Sequence, residues 1–122
     1  MGSDQILTKK QIRAHKAWDC VNRKVNATDK QDYLQLARSF PALVHSCGLV
    51  EAVAFVTAKG DHTGRDYLSH LREVMMRNCD LADESRQAPL SRYQQLSRDA
   101  IDSATWLKRY AETLLKVKTG AK

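Results

Sequence analysis

The sequence predicts an all-α fold, a compact bundle of about five to six helices with an apolar helix at its centre. Three observations predict it. Apolar residues recur at three- and four-residue intervals along nearly the whole chain, which is the period of an amphipathic helix. The two prolines and most of the five glycines fall at the ends of those periodic stretches, where helices are punctuated. No segments alternate in the way a paired sheet requires. At 122 residues and 43% apolar content, the chain is long enough to enclose a core. We expect residues 1–122 to form a single helical domain, with 1–7 and 119–122 frayed.

The elements follow in order. Thr8 with Gln11 reads as a capping box. Ile12, Ala14, Ala17, Trp18, Val21 and Val25 then carry a helix over about 9–25, with Asp19 and Arg23 spaced to pair on its outer face. Asn26–Asp29 reads as a turn and a new N-cap. The second helix runs to about Ser39, with Tyr33, Leu34, Leu36 and Ala37 facing inward. Pro41 cannot continue it but can open a short third helix carrying Leu43 and Val44. Gly48 suits a left-handed C-cap. Leu49–Lys59 is apolar on nearly every side and is expected at the bundle centre, closed by Gly60. Residues 61–64 read as a polar loop. Tyr67, Leu68, Leu71, Val74 and Met75 then mark one buried face, with Glu73 and Arg77 paired opposite. Residues 80–88 read as a mobile polar loop. Pro89 opens the longest helix, to about Lys118, with two apolar stripes: Tyr93, Leu96, Ala100, Leu107, Tyr110 and Leu114 beside Ile101, Ala104, Ala111 and Leu115. So wide a face packs on more than one neighbour. Arg98–Asp102 and Glu112–Lys116 have pairing spacing.

Charge narrows the function classes. The net charge is +6, and it is unevenly placed. Residues 1–25 carry six Lys or Arg against two Asp, and 105–122 carry five against one Glu, whereas 26–104 carry nine against eleven acids. Two basic ends that packed side by side would form a face attractive to phosphate backbones; the alternative is a solvated, solubilising surface. No apolar run approaches a membrane span. The opening residues lack the pattern of a secretory leader, and Ile6 stands where a myristoylation motif needs Ser or Thr. The three cysteines, Cys20, Cys47 and Cys79, are widely spaced. They fit small core residues in a reducing compartment. We therefore expect a cytoplasmic protein with no membrane contact.

The residues offer little catalytic chemistry. His15, His45, His62 and His70 form no His-Glu-x-x-His or Glu-x-x-His pattern. His45 and Cys47 with His70 and Cys79 match no familiar zinc spacing. The acid pairs Asp29/Asp32, Asp83/Glu84 and Asp99/Asp102 lie among capping and solvent-face positions rather than in a desolvated cleft. No Gly-rich phosphate loop is present. A helix-turn-helix about Gly48 would use 49–59 as its recognition helix, which carries almost nothing polar to read bases. We expect no cofactor, no metal and no enzyme activity. The candidate contacts are basic: Lys9, Arg13 and Lys16 share one face of the first helix, followed by Arg23 and Lys24, and Lys108, Arg109 and Lys116 lie on the last helix with Lys10 and Lys118 nearby. Trp18 and Trp106 either stack on bases or belong to core and interface.

The central stretch Leu36-Ala37-Arg38-Ser39-Phe40-Pro41-Ala42-Leu43-Val44, then Cys47-Gly48-Leu49 and Ala52-Val53-Ala54-Phe55, resembles the small helical subunit of the Cmr effector, the type III-B CRISPR RNA-targeting complex. Ala14, Ala17-Trp18 and Cys20-Val21 in the opening helix are similar too, as are Arg92-Tyr93, Ala100 and Trp106–Ala111 in the closing one. Phe40 stands where leucine is usual, and Val50-Glu51 replace a common Gly-Gln. The resemblance implies a non-catalytic subunit in antiviral defence. It would stack with copies of itself along the filament of guide RNA and backbone proteins, beside the paired target RNA, while other subunits of the complex cut. Arg38 of the central motif then joins the candidate RNA contacts. Two other readings stay open: a helical adaptor without RNA contact, and the equivalent subunit of a type III-A complex. A metal-dependent bundle enzyme is a further competitor.

Overall fold

The computed structural model describes residues 7–78 and 80–115. These form six helices and no strand: α1 (Lys9–Asn22), α2 (Lys30–Cys47), α3 (Leu49–Lys59), α4 (His62–Met75), α5 (Leu81–Gln87) and α6 (Leu90–Leu114). The predicted all-α bundle is the fold observed. Helix α6 is its axis: α1, α2 and α4 all pack on it. Its inner face sets four small, fully buried residues, Ala100, Ser103, Ala104 and Ala111, beside the leucines Leu96 and Leu107. Small side chains let neighbouring helix backbones come close without leaving voids.

Helix α1 begins behind the capping box the sequence predicts. The Thr8 amide donates to Gln11 Oε1 at 2.8 Å, and the Gln11 amide donates to Thr8 Oγ1 at 3.0 Å. The helix ends at Asn22, short of Val25. Asp29 holds the N-cap position of α2 without a side-chain capping bond; its carboxylate is drawn to Lys24 and Thr63 instead.

Three boundaries correct the sequence reading. Pro41 lies inside α2, which runs unbroken to Cys47. An interior proline costs roughly 3 kcal/mol. Phe40 and Val44, one on each side of it, are buried, and Phe40 packs on Tyr67 with ring centroids 5.2 Å apart. Burying a phenyl group contributes about 1.5–3 kcal/mol, so packing holds the turn that local preference would break. Residues 61–64 are not a loop: Asp61 caps α4, its Oδ1 accepting the Gly64 amide at 3.0 Å. Residues 80–88 are not a polar loop either. Asp80 caps α5, which buries Leu81 and Ser85. The expected tails fall largely on residues 1–6 and 116–122, outside the described residues.

Helix α3 has the predicted bounds but not the predicted central place. One face (Leu49, Ala52, Val53, Val56) is buried against α2, α4 and α5, while Phe55 is 52% exposed. Its apolar composition reflects alanines and one outward phenylalanine rather than burial all round. Gly48 alone joins α2 to α3. Its φ of 89° and ψ of 162° lie in a region that only glycine enters freely. Its amide closes α2 on the Val44 carbonyl at 2.8 Å, and its own carbonyl opens α3 by accepting the Ala52 amide at 3.0 Å.

Beneath α2 and α4 lies a polar contact in the core. The Tyr33 hydroxyl and His70 Nδ1 are 2.6 Å apart, and the Tyr33 ring meets Tyr67 edge-on at 5.7 Å. Burial pushes His70 down to about 4, with Arg23 adding to the effect. Burial also pushes the Cys20 thiol up to about 12, which leaves it inert. Cys20 is thus a core residue as predicted, whereas Cys47 is exposed at the end of α2.

These positions generate stability predictions. Gly48→Ala strains a backbone pair closed to L-residues and is expected to destabilise by about 1–3 kcal/mol. Gly60→Ala, at a left-handed position with open space about the added methyl, should cost only about 1 kcal/mol; urea midpoints compare the two. His70 is protonated near pH 6.5 when unfolded but only near 4 when folded, so stability is full above 6.5 and falls as pH drops toward 4. The loss by pH 5 is about 2 kcal/mol. Melting curves at pH 7.5 and pH 5 should show it, and His70→Gln should flatten the difference. The carboxyls of Glu73 and Glu84, held low by Arg23 and Arg77, lose their contribution only below about pH 4.5.

Candidate nucleic-acid interface

The start of α1 meets the other basic segment at Arg109, while Lys116, Lys118 and Lys122 lie outside the described residues. Helix α1 runs antiparallel to α6, so the start of α1 lies against the last turns of α6. Lys9, Lys10 and Arg13 face Asp102, Thr105, Trp106 and Arg109 across a groove of about 390 Å³. Lys9 and Lys10 open the first turn of α1, and no acid accompanies them there. A helix N-terminus already carries about half a positive charge. Lysines in that turn oppose the helix and add to its positive potential.

On the α6 side the guanidinium carbon of Arg109 lies 4.8 Å from the centroid of the Trp106 ring. Tyr110 stacks on Trp106 at 5.8 Å, the planes 23° apart. Arg109 and Trp106 line the groove, and Tyr110 backs Trp106 from outside the lining. The sequence reading gives Tyr110 only to the buried stripe; its four-residue spacing from Trp106 is the signal for the stack. Trp18 lies elsewhere on α1, 41% exposed.

The other candidates divide by what already holds them. Arg13 is buried: its Nη2 lies 3.1 Å from Asp99 Oδ1 and its Nη1 3.7 Å from Asp102 Oδ2. Neither that Nη2 nor its Nε completes an aligned hydrogen bond, so the contact is chiefly coulombic. Asp99 also accepts from Gln95 at 3.1 Å and lies 4.0 Å from Arg77, which in turn pairs with Glu84. Lys24 is buried too, its Nζ 2.8 Å from both Asp29 and Asp66. Burial lowers the Lys24 affinity for its proton, but the bonds to Asp29 and Asp66 outweigh it and hold the ammonium above its usual range. These two cations fix helices, and their donors are turned away from any surface ligand. Arg23 grips Glu73 at 3.0 Å and Arg38 meets Glu112 at 3.3 Å; both remain partly exposed. Lys16 and Lys108 are half-buried, Lys9 is exposed, and Lys116 lies outside the described residues.

Among the described residues the charged side chains take partners other than the spacing-based ones, and Lys116, the partner expected for Glu112, lies outside them. Asp19 lies near His15 rather than Arg23, and Arg98 bonds Gln95 rather than Asp102. Arg23–Glu73, Arg38–Glu112 and Arg77–Glu84 instead join different parts of the bundle. Among the described residues one cluster could hold a metal, Asp29, His62 and Asp66. The Lys24 ammonium sits between its two carboxylates and supplies their counter-charge. His70 is bonded in the core, away from the exposed His45 and Cys47. Cys79, the fourth member of the zinc grouping, lies outside the described residues. No helix among the described residues is long and apolar enough to cross a membrane.

A family model described as CRISPR-associated protein (Cas_Cmr5) matches residues 9–114, from the first residue of α1 to the last of α6. The CRISPR system Cmr subunit Cmr5 of Thermus thermophilus is 32% identical over 113 residues, which cover 91% of this chain and 99% of that protein. The crystal structure of a CRISPR-associated Cmr5 family protein from the same organism superposes with a TM-score of 0.85 at 31% identity, over 91% of this chain and all of that one.

The buried Arg13 pair makes a further prediction. Arg13→Glu would set a third carboxylate beside Asp99 and Asp102, and Arg13→Gln would leave Asp99 without one of its cations. Removing one partner of a buried pair costs about 3–5 kcal/mol. Denaturation should show that loss for Arg13→Gln, and Asp99→Asn in the same background should add far less than it costs alone.

Proposed function

From the premise that the chain belongs to the Cmr5 family of CRISPR-associated proteins, we propose that it is the non-catalytic small subunit of a type III-B Cmr effector complex. In this reading it lies along the guide–target RNA filament in the cytoplasm, in contact with other Cmr subunits and with further copies of itself. It touches RNA through the phosphate backbone. Base pairing between guide and target reads the sequence, so a protein beside them needs only charge and shape.

The observation that carries the RNA contact is the α1–α6 groove. It gathers Lys9, Lys10 and Arg109 about Trp106 and adds the positive end of α1. Cations alone would give sequence-tolerant affinity for phosphates. Trp106, with Arg109 over its ring, adds an aromatic and cationic edge against which an unpaired base can lie. The type III-A alternative loses ground to the Cmr5 match, which spans all six helices.

The test is a charge substitution that spares the internal pairs. The triple variant Lys9→Gln, Lys10→Gln, Arg109→Gln leaves Arg13, Lys24, Arg23 and Arg38 in place and is expected to fold. Fluorescence anisotropy with a labelled single-stranded 20-nucleotide RNA at two salt concentrations should show weaker binding. The slope of log K against log salt should fall by up to about 2, at roughly 0.7 for each phosphate no longer neutralised. A folded variant with unchanged affinity and slope would favour the adaptor reading.

A further inference from the structure

A second cleft lies on the far side of the bundle, among α3, α4 and α5. Its volume is about 320 Å³. Arg65, Ser69 and Arg72 form one wall, on the face of α4 opposite the core residues Tyr67, His70, Leu71 and Val74. Thr57 lines it from α3, and Leu68 and Leu81 add apolar surface. It shares no residue with the α1–α6 groove.

We propose that this cleft binds a ligand carrying two successive phosphate groups, held by Arg65 and Arg72. Arg72 is the telling residue. Arg13, Arg72 and Arg77 are the arginines most withdrawn from solvent among the described residues. Arg13 and Arg77 each face carboxylates. The Arg72 side chain makes no hydrogen bond or ion pair among the described residues. Its donors are not among the fully buried unpaired ones, so they stay open to water and to an anion that would take its place. Arg65 is steadied by one bond, Nη1 to the Gly60 carbonyl at 3.1 Å; its other N–H groups remain available. The Ser69 hydroxyl, between the two arginines, makes no hydrogen bond among the described residues either.

The spacing selects the ligand class. Two helical turns separate Arg65 from Arg72, about 10.5 Å along the axis. One carboxylate needs one guanidinium fork. Two long side chains reaching inward from that separation suit two anionic groups several ångströms apart, as in a diphosphate or consecutive phosphodiesters. Leu68 and Leu81 offer the surface that a sugar or base would cover. Asp80 also lines the cleft, but its Oδ2 accepts the Asp83 amide at 3.3 Å and caps α5. It opposes an anion without filling the arginines' place.

The source of the phosphates is either an RNA backbone or a free nucleotide, and two probes separate them. The ¹⁵N-labelled full chain is titrated with inorganic pyrophosphate and with a ten-residue oligouridine. Either probe should move the amides of Ser69, Leu81 and Ala82. Arg72→Gln should weaken that local binding at least about tenfold, the effect of removing a charge-assisted fork. Arg72→Lys, which keeps charge without the fork, should fall between. Asp80→Asn removes the opposing charge while keeping an N-capping residue, and should tighten binding. Shifts with oligouridine that persist in the Lys9, Lys10, Arg109 triple variant assign the cleft to RNA, independently of the α1–α6 groove. Shifts with pyrophosphate alone assign it to a free nucleotide. No shift at these amides with either probe, or full binding by Arg72→Gln, overturns the proposal whatever the outcome at the groove.

Discussion

The close approach of α1 and α2 to the small-residue face of α6 is the constraint on which the rest depends. Ala100, Ser103, Ala104 and Ala111 on α6, Ala17 on α1 and Ala37 on α2 are all fully buried, and α1 and α2 pack on α6. Larger side chains there would separate the helices, and even one added methylene in a filled core is felt. The same approach sets α1 antiparallel along α6. That register lays Arg13 over Asp99 and brings Lys9 and Lys10 to Trp106 and Arg109. One packing decision thus fixes both the innermost ion pair and the most basic groove.

A basic protein could carry its charge as loose solvated side chains. Much of this charge is instead used between helices. Lys24 ties the α1–α2 turn to Asp66 of α4, Arg23 ties α1 to α4, Arg38 ties α2 to α6, and Arg77 runs from the end of α4 to Glu84 of α5. Exposed pairs of this kind contribute little, roughly 0–1 kcal/mol each. The buried Arg13 and Lys24 pairs act differently, because any arrangement that parts them strands a charge in the core. They penalise wrong helix orders more than they reward the right one. This removes Arg13 and Lys24 from the binding surface and leaves the exposed Lys9, Lys10 and Arg109 to set the field outside.

Local signals proved legible where the answer was local. The Thr8–Gln11 box, the bounds of Leu49–Lys59 and the inward face of α4 were all readable from residue type and spacing. Signals decided by distant partners were not. Pro41 looks like a break because its neighbours in sequence say so; Tyr67, far along the chain, keeps Phe40 helical. Residues 81–87 look polar because only Leu81 and Ser85 need burying in so short a helix. Arg13 and Lys24 look like surface cations until Asp99 and Asp66 are placed beside them. Charge-pair spacing misled most often, since an interhelical acid outcompetes one that is merely four residues away. Of the site, composition showed two basic ends, but that Lys9 and Lys10 lie beside Arg109 required the fold. The Trp106–Tyr110 stack and the Arg72 cleft required the fold.

The start of α1 remains locally inconsistent with its own helix, and that inconsistency is informative. A first turn favours acids, each worth typically about 0.3–1 kcal/mol, and this chain places Lys9 and Lys10 there with none. Elsewhere the first turns divide: Asp32, Glu51, and Asp83 with Glu84 open α2, α3 and α5, whereas α4 and α6 carry no acid there, although Asp61 caps α4. What distinguishes α1 is two lysines in succession in its first turn with no acid beside them. Well-folded sequences break local rules chiefly where function demands it. The break here falls beside Arg109 and Trp106, where the capping box supplies in hydrogen bonds part of what the missing acids would have supplied in charge. A helix end kept positive at a cost to the helix is what a surface selected to meet an anion would retain.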